Sequence, residues 1–259
     1  NSYSQASIDE AMKILNLPPK ISDIILKSAE ILPLFDTPLF LSRNQGLSFE
    51  QKLIKRIMDI VISAVLLVVA SPFMLITAAA VKVYDRGPVI FKQERVTVEG
   101  RRFFVYKFRS MIVNAEKDGV AVLATQHDSR ITPVGRVIRA ARLDELPQLY
   151  NILRGDMSLV GPHPERPEIM EKYEDTIPEF SYRLKVKAGL TGYAQVYGKY
   201  HTTAYDKLKM DLMYIENYSL LMDLRLLFMT FKVIFMKEST EGLSKEQLEE
   251  LISKEHVKK

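Results

Sequence analysis

The stretch DIVISAVLLVVASPFMLITAAAVK, residues 59–82, decides the fold. It holds about twenty apolar residues in succession, the length an α-helix needs to cross a bilayer. Ser71 and Pro72 stand in its middle. Proline removes a backbone hydrogen bond and clashes with the preceding turn, so a helix kinks or breaks there. The neighbouring serine hydroxyl can return a bond to the freed backbone, which matters in lipid, where an unsatisfied polar group costs several kcal/mol. Lys55 and Arg56 precede the stretch, and Lys82 and Arg86 follow it. The preference of Lys and Arg for the cytoplasmic side would keep both ends on one face. The expectation is a re-entrant helix-break-helix hairpin over residues 57–82, broken at Ser71 and Pro72. A kinked transmembrane span and the core helix of a soluble protein are the alternatives.

Upstream, Ser48 is placed to N-cap a helix over SFEQKLIKRIMDI, with Phe49, Leu53, Ile57 and Ile60 on one face. Residues 1–47 mix apolar runs with breakers. Helices are predicted over Ile8–Leu15 and Ile21–Leu32, interrupted by Pro18, Pro19, Pro33 and Pro38, with a linker at residues 45–47. The chain starts at Asn1, and this segment reads as the end of a preceding domain.

Downstream, Arg86-Gly87-Pro88 predicts a turn, and PVIFKQERVTV and RRFFVYKFRSM predict two strands joined at Glu99-Gly100. Lys92, Arg95, Arg101, Arg102, Lys107 and Arg109 make this hairpin an anion-binding surface, for a substrate or for lipid head groups. Residues 114–128 predict a short helix and a polar loop. Arg130, Arg136, Arg139 and Arg142 then form a second basic set, leading into LDELPQLYNILRGDMSLVGPHPERP.

The 259 residues suit one or two domains; 47% are hydrophobic and 26% charged, a globular composition. A net charge of +4 fits lipid head groups, phosphates or nucleotides and is too mild to indicate nucleic acid. The absence of cysteine excludes disulfides and thiolate metal sites, and four scattered histidines speak against zinc.

Chemistry concentrates at residues 143–166. Pro147 is tolerated in a first helical turn, so a helix is predicted from Asp144 to Leu153, with Asp144 and Glu145 at its N-terminus. Acidic residues there are ordinary caps. Yet adjacent carboxylates repel, and a divalent cation such as magnesium offsets that repulsion. A division of labour follows: one carboxylate as nucleophile, the other as metal ligand, with Arg154 and Arg166 near a transferring phosphoryl group. Gly161-Pro162-His163-Pro164 predicts a rigid loop whose histidine either meets phosphate or packs a turn. Residues 165–173 predict a charged helix ending near Pro178, and Gly189 and Gly192 a tight loop. In the helix predicted over Thr203–Tyr218, Lys207, Asp211, Tyr214 and Tyr218 share a line that is either solvated surface or part of the site. Residues 219–236 are apolar but interrupted by Asp223, Arg225 and Lys232, which suits a packed or interface-resting helix. The charged tail from Lys237 is expected to fray.

KRIMDIVISAVLLVVASP, YKFRSM, LDELPQLYNILRGDMSLVGPHPERP, KAGLTGYAQV and DLMYIENYSLLMDL together resemble the monotopic phosphoglycosyl transferases, the bacterial sugar transferase family. The resemblance implies a mostly helical α+β monotopic membrane protein with a re-entrant hairpin, a small β-hairpin and interface-resting helices. It implies a catalytic domain over residues 48–242, a segment over 1–47 that belongs with a preceding domain, and a charged tail over 243–259. The implied reaction moves a sugar-1-phosphate from a UDP-sugar to undecaprenyl phosphate at the cytoplasmic face of a bacterial inner membrane, with release of UMP. Asp144 matches the family nucleophile, Glu145 the magnesium ligand, Arg139 a phosphate-proximal arginine, and Lys107 and Arg109 the basic strand. His163 replaces an arginine that many members carry in this loop, with Arg166 nearby to compensate. The ERPE helix and the GLTGYAQV block look closer to members that use UDP-glucose or UDP-galactose than to those that use acetamido sugars, in capsule, exopolysaccharide or O-antigen assembly, and association into a homo-oligomer is left open. The opposing reading is a non-catalytic, membrane-anchored binding or regulatory module.

Overall fold

The computed structural model describes residues 21, 29–34, 37–42, 47–113, 115, 128–198 and 202–234. The helix predicted over residues 8–15, most of the 114–128 segment and the tail from residue 237 lie outside these.

The first described elements correct the sequence reading. Residues expected to end a helix at Leu32 instead form strand β1 (Ala29–Leu34), antiparallel to β2 (Thr37–Ser42), with Pro33 opposite Pro38. Proline lacks the N–H that a helix interior or central strand needs, and in a two-stranded ribbon every strand is an edge.

Helix α1 (Phe49–Asp85) follows, 37 residues and about 55 Å long at 1.5 Å per residue. Ser48 caps it as expected. Its hydroxyl accepts from Gln51 N–H at 3.2 Å, while the Gln51 side chain accepts from Ser48 N–H at 2.9 Å. Arg86, in the left-handed region at φ 56°, ends it. The helix is continuous through Ser71 and Pro72, so these residues do not interrupt secondary structure as expected. The Ser71 hydroxyl donates to Val68 O at 2.7 Å, keeping its own donor satisfied one turn back.

The polarity of α1 is inside out. Lys55, Asp59, Ser63 and Thr77 are buried against the rest of the protein, while Val65, Val68, Val69, Phe73, Leu75 and Ile76 are exposed. A soluble helix buries the opposite set. Only 11% of its most apolar window is buried, which overturns the soluble core-helix alternative; it is the one helix among the described residues long and apolar enough to cross a membrane.

The body under α1 is built from small pieces. Strands β3 (Ile90–Val96) and β4 (Arg102–Phe108) form the predicted antiparallel hairpin, with Lys92 opposite Tyr106. Helix α2 (Pro133–Ala140) is capped by Thr132, whose hydroxyl accepts from Gly135 N–H at 2.8 Å. A 3-10 turn over Leu143–Glu145 leads into α3 (Gln148–Arg154), ended by Gly155 at φ 95°. Strand β5 (Ser158–Val160) precedes α4 (Pro167–Thr176) and a 3-10 stretch over Pro178–Lys185. The glycine loop becomes β6 (Gly189–Thr191), parallel to β5. A Cβ at Gly189 would collide with Gly161 N, so the two backbones approach closely only because both residues are glycine. Three helices finish the described chain: α5 (Tyr193–Tyr197), α6 (Ala204–Glu216) and α7 (Leu220–Ile234).

The main core joins Val105, Leu149, Ile152, Met157, Leu159, Val160, Phe180, Leu208, Leu212 and Leu226. A second cluster of Val81, Phe108 and Ile138 takes in Met74, Ala78 and Leu143. Each fully buried Leu or Ile contributes about 1.5–3 kcal/mol, so Leu149 and Ile152 fix the short helix α3 despite its length. The two clusters hold the two ends of α1 on one body. On α7, Leu221, Leu224, Phe228 and Phe231 remain exposed on one side, and Asp223 and Leu226 are buried on the other.

Candidate active site

Three elements converge on the Asp144-Glu145 dyad. Asp144 is not the N-cap that the sequence suggests. Arg142 takes a left-handed conformation at φ 56° and starts the 3-10 turn, and Pro147 becomes the N-cap of α3. The dyad therefore sits one turn ahead of the α-helix. Asn151 docks α3 on β4: its Oδ1 accepts from Tyr106 N–H at 3.0 Å, and its Nδ2 donates to Phe104 O at 2.8 Å. That contact sets the register in which Lys107, the next residue of β4, reaches Glu145 with Nζ–Oε1 at 2.8 Å. Arg56 of α1 grips the other end of α3, donating to Ile152 O at 2.6 Å and Leu153 O at 2.7 Å. A cation at a helix C-terminus meets both the free carbonyls and the negative end of the dipole.

The two carboxyls are driven apart. Burial, and then the Glu145 charge, push the Asp144 carboxyl up to about 6, against Lys107, Arg139 and Arg142, which pull it down. Burial also pushes Glu145 up, but Lys107 and the other cations outweigh it and bring the group down to about 2. Asp144 is 8% exposed, and its Oδ1 has no hydrogen-bond partner. Such opposed shifts in neighbouring titratable groups mark division of roles at functional sites.

His163 faces the same dyad. Its loop is pinned by Arg95 to Pro164 O at 2.9 Å, by Val96 N–H to Glu165 O at 3.0 Å, and by Arg183 to His163 O at 2.9 Å. Burial pulls the imidazole down to about 4, with Glu145 opposing and Lys107 assisting, and Nδ1 has no partner. The ring is neutral at pH 7. In the unfolded chain His takes up a proton near 6.5, so the stability supplied by the neutral ring is present above that pH and lost as pH falls towards 4. Melting curves of His163→Asn between about pH 7.5 and 4.5 are expected to fall less steeply than those of the wild type.

Not every predicted residue joins the dyad. Arg109 bonds Asp85 at the end of α1 and lies against Gly87, clamping α1 to β4 rather than entering the site. Asp211 is buried with Arg183, Oδ2 to Nη2 at 2.7 Å. It supports the site indirectly, since Arg183 also holds His163 O. Tyr214 donates to Asp223 Oδ1 at 2.7 Å, in the core between α1 and α7. Arg166 stands at the N-cap of α4, after the His163 loop.

Several residues that organise the site carry little signal in sequence. Lys55 and Asp223 form a buried pair at 2.6 Å, with the Lys55 ammonium near the faces of Tyr214 and Tyr218. Asp59 accepts from Ser158 Oγ at 3.0 Å and from Leu159 N–H at 2.9 Å. The one hint is the cost of placing Lys55, Asp59 and Asp223 beside apolar runs, which demands partners.

The fold and the site together define an α+β protein in which an acidic dyad ringed by cations sits in a 3-10 turn of a body packed against a long, outwardly apolar helix. The chain belongs to the bacterial sugar transferase family, which matches residues 50–237. It is 38% identical over 251 residues to a UDP-glucose:undecaprenyl-phosphate glucose-1-phosphate transferase of Klebsiella pneumoniae, covering 92% of this chain and 52% of the relative. It is 45% identical over 184 residues to a UDP-N-acetylgalactosamine-undecaprenyl-phosphate N-acetylgalactosaminephosphotransferase of Aeromonas hydrophila, covering 70% of this chain and 43% of that protein. An undecaprenyl-phosphate galactose phosphotransferase of Salmonella typhimurium is 36% identical over 236 residues, covering 85% and 49%. The chain spans about half the length of these relatives.

Proposed function

We propose that the protein transfers a sugar-1-phosphate from a UDP-sugar to undecaprenyl phosphate, releasing UMP, through a phosphosugar carried on Asp144. The observation that carries this reading is the buried Asp144 carboxylate, with an oxygen unbonded and three cations in electrostatic range. With its pKa at about 6 the group is ionised at neutral pH yet more basic than an ordinary aspartate. The carboxylate attacks the phosphorus that bears the sugar. The P–O bond to the nucleotide breaks, and UMP leaves with that oxygen. An oxygen of undecaprenyl phosphate then attacks the same phosphorus, the bond to Asp144 breaks, and the carboxylate is restored. Lys107, Arg139 and Arg142 offset the charge that accumulates on the phosphoryl oxygens.

Glu145 suits a divalent cation. Lys107 engages Oε1, which leaves Oε2 to meet a metal, and no group of three His, Asp or Glu side chains able to hold one occurs among the described residues. That donor set fits magnesium, which is commonly held by one or two carboxylates together with substrate phosphates. Bound at Glu145, it would neutralise charge on the donor diphosphate.

The site would work at a membrane surface. Residues 55–67 and 74–85 of α1 both bond or pack on the same body, which carries buried ion pairs and charged surface unsuited to lipid. A helix held at both ends on one body supports entry and exit on one side, with the body in the cytoplasm by its flanking Lys and Arg. Helix α7 also exposes an apolar side, of the kind an interface-resting helix presents to lipid. Because the chain lacks cysteine, single cysteines at Lys52 and Arg86 in sealed vesicles test this directly. Both should react with a polar thiol reagent from the same side, and cysteines at Ala70 and Phe73 from neither; reaction of the Lys52 and Arg86 positions from opposite sides would mean a span.

The reaction is tested by UMP release in detergent with magnesium, undecaprenyl phosphate and a panel of UDP-glucose, UDP-galactose and UDP-N-acetylgalactosamine. Sustained release that requires the lipid and follows ping-pong kinetics is expected with one of the sugars, with release limited to about one UMP per enzyme when the lipid is left out. Sequential kinetics with no trappable phosphosugar would sink the covalent route, and no release from any donor would leave the binding-module reading.

A further inference from the structure

Three buried side chains lack hydrogen-bond partners: the Ser63 hydroxyl, both amide atoms of Gln148, and Asp144 Oδ1. Ser63 and Gln148 are wholly inaccessible to solvent. Interiors seldom leave such groups unpaired, because each costs about 1–3 kcal/mol.

Their placement follows from the contacts already described. Leu143 packs in the cluster of Met74, Ala78 and Val81, while Ile152 O and Leu153 O receive Arg56. Residues 143–154 therefore run antiparallel along α1, from its level 74–81 down to 56. Gln148 falls between these two anchor points, and its neighbour Leu149 shares the core cluster of Ile62 and Leu67, so the run directs Gln148 towards the level of Ser63. Ser63 follows Asp59 by four residues and Arg56 by seven, so it shares their side of α1. Leu146 and Pro147 have right-handed helical angles. Asp144 and Gln148 consequently stand one turn apart on one side of a nearly continuous helical run.

The unpaired atoms are complementary. Ser63 offers a donor, Gln148 an acceptor and a donor, and Asp144 an acceptor. We propose that these three form a relay in the working protein, Ser63 Oγ–H donating to Gln148 Oε1 and Gln148 Nε2–H donating to Asp144 Oδ1. Gln148 is then a positioning residue. It holds one carboxylate oxygen so that the other, Oδ2, is aimed at phosphorus, and it ties that aim to α1. The relay requires the Gln148 amide to turn its oxygen towards Ser63 and its nitrogen towards Asp144.

The inference rests on the proposed reaction for its catalytic meaning, but its geometry is measurable without turnover. Gln148→Met keeps the volume and removes the amide. It is expected to lower kcat about 10²-fold through misorientation, with KM within about twofold of wild type. Ser63→Ala is expected to lower kcat about tenfold, to be rescued by Ser63→Thr, and to add nothing in the Gln148→Met background. A merely structural role would instead give additive losses that track Tm. The second measurement is hydrogen exchange at the Gln148 side-chain amide, observed by selective 15N labelling. Protection in the wild type that drops at least about tenfold in Ser63→Ala is expected from a bonded chain. An active wild type whose variants act additively, or a Gln148 amide indifferent to Ser63, overturns the relay. Loss of protection in Ser63→Ala alongside a wild type that transfers no sugar phosphate sustains the relay and removes the reaction instead.

Discussion

Asp144→Asn is expected to abolish sugar-phosphate transfer, by about 10⁴-fold or more, while raising Tm by several degrees. The kinetic loss follows from removing the proposed nucleophile, which no neighbour replaces: Glu145 is engaged by Lys107 and held at low basicity, which makes it a poor substitute. The gain in stability follows from the direction of the Asp144 shift. Burial and Glu145 raise its pKa to about 6, from an ordinary value of 3.8. Between those values the folded protein keeps a proton that the unfolded chain has released, so stability declines as pH climbs through that window. At pH 7 the ionised group burdens the fold, and the neutral amide does not. Thermal melts of the two proteins without added metal should differ at about pH 7 and converge below about pH 4, where the carboxyl is protonated in both states. A variant that is inactive but less stable at every pH would mean that Asp144 is structural.

Breaking the Lys55–Asp223 pair is expected to be the most damaging change to stability. Both groups are almost inaccessible, at 5% and 0%, and Tyr214 also bonds Asp223. Asp223→Ala leaves an ammonium buried without its partner, at a cost of about 3–5 kcal/mol. Lys55→Met combined with Asp223→Leu removes both charges and should recover most of that loss in a denaturant titration. If the single and double variants were equally unstable, the loss would come from packing rather than charge. Because the pair joins α1 to α7, the single variant should also become easier to proteolyse between those helices.

Local features are legible in the amino-acid sequence. The Ser48 cap, the apolar helix, the β3–β4 hairpin and α6 all depend on neighbours within a few residues. The dyad and Lys107 are legible as chemistry because their residue types are unusual together. What escapes depends on partners far along the chain: Asp211 with Arg183, 28 residues away, and Lys55 with Asp223, 168 residues away. A helical wheel places Asp211 and Tyr214 on a polar line and has no means of showing that this line is buried in polar contacts. Arg109 misleads for the same reason, since a basic residue on a basic strand gives no hint that Asp85 waits at the end of the preceding helix. The start of α3 is misplaced because a left-handed Arg142 is a conformation that arginine seldom adopts.

The inverted polarity of α1 separates two tasks that most helices combine. Its inward residues Lys55, Arg56, Asp59 and Asp85 supply bonds that the body lacks if the helix is cut away. Truncating the chain to obtain a soluble catalytic fragment would therefore strand Asp223, the Leu159 amide, the α3 carbonyls and Arg109 at once. The workable route to a detergent-free protein is repainting: exchanging Val65, Val68, Val69, Phe73, Leu75 and Ile76 for Glu, Lys and Gln while every inward residue stays. The outward half of the helix is a solvent adaptor, and the inward half is the frame.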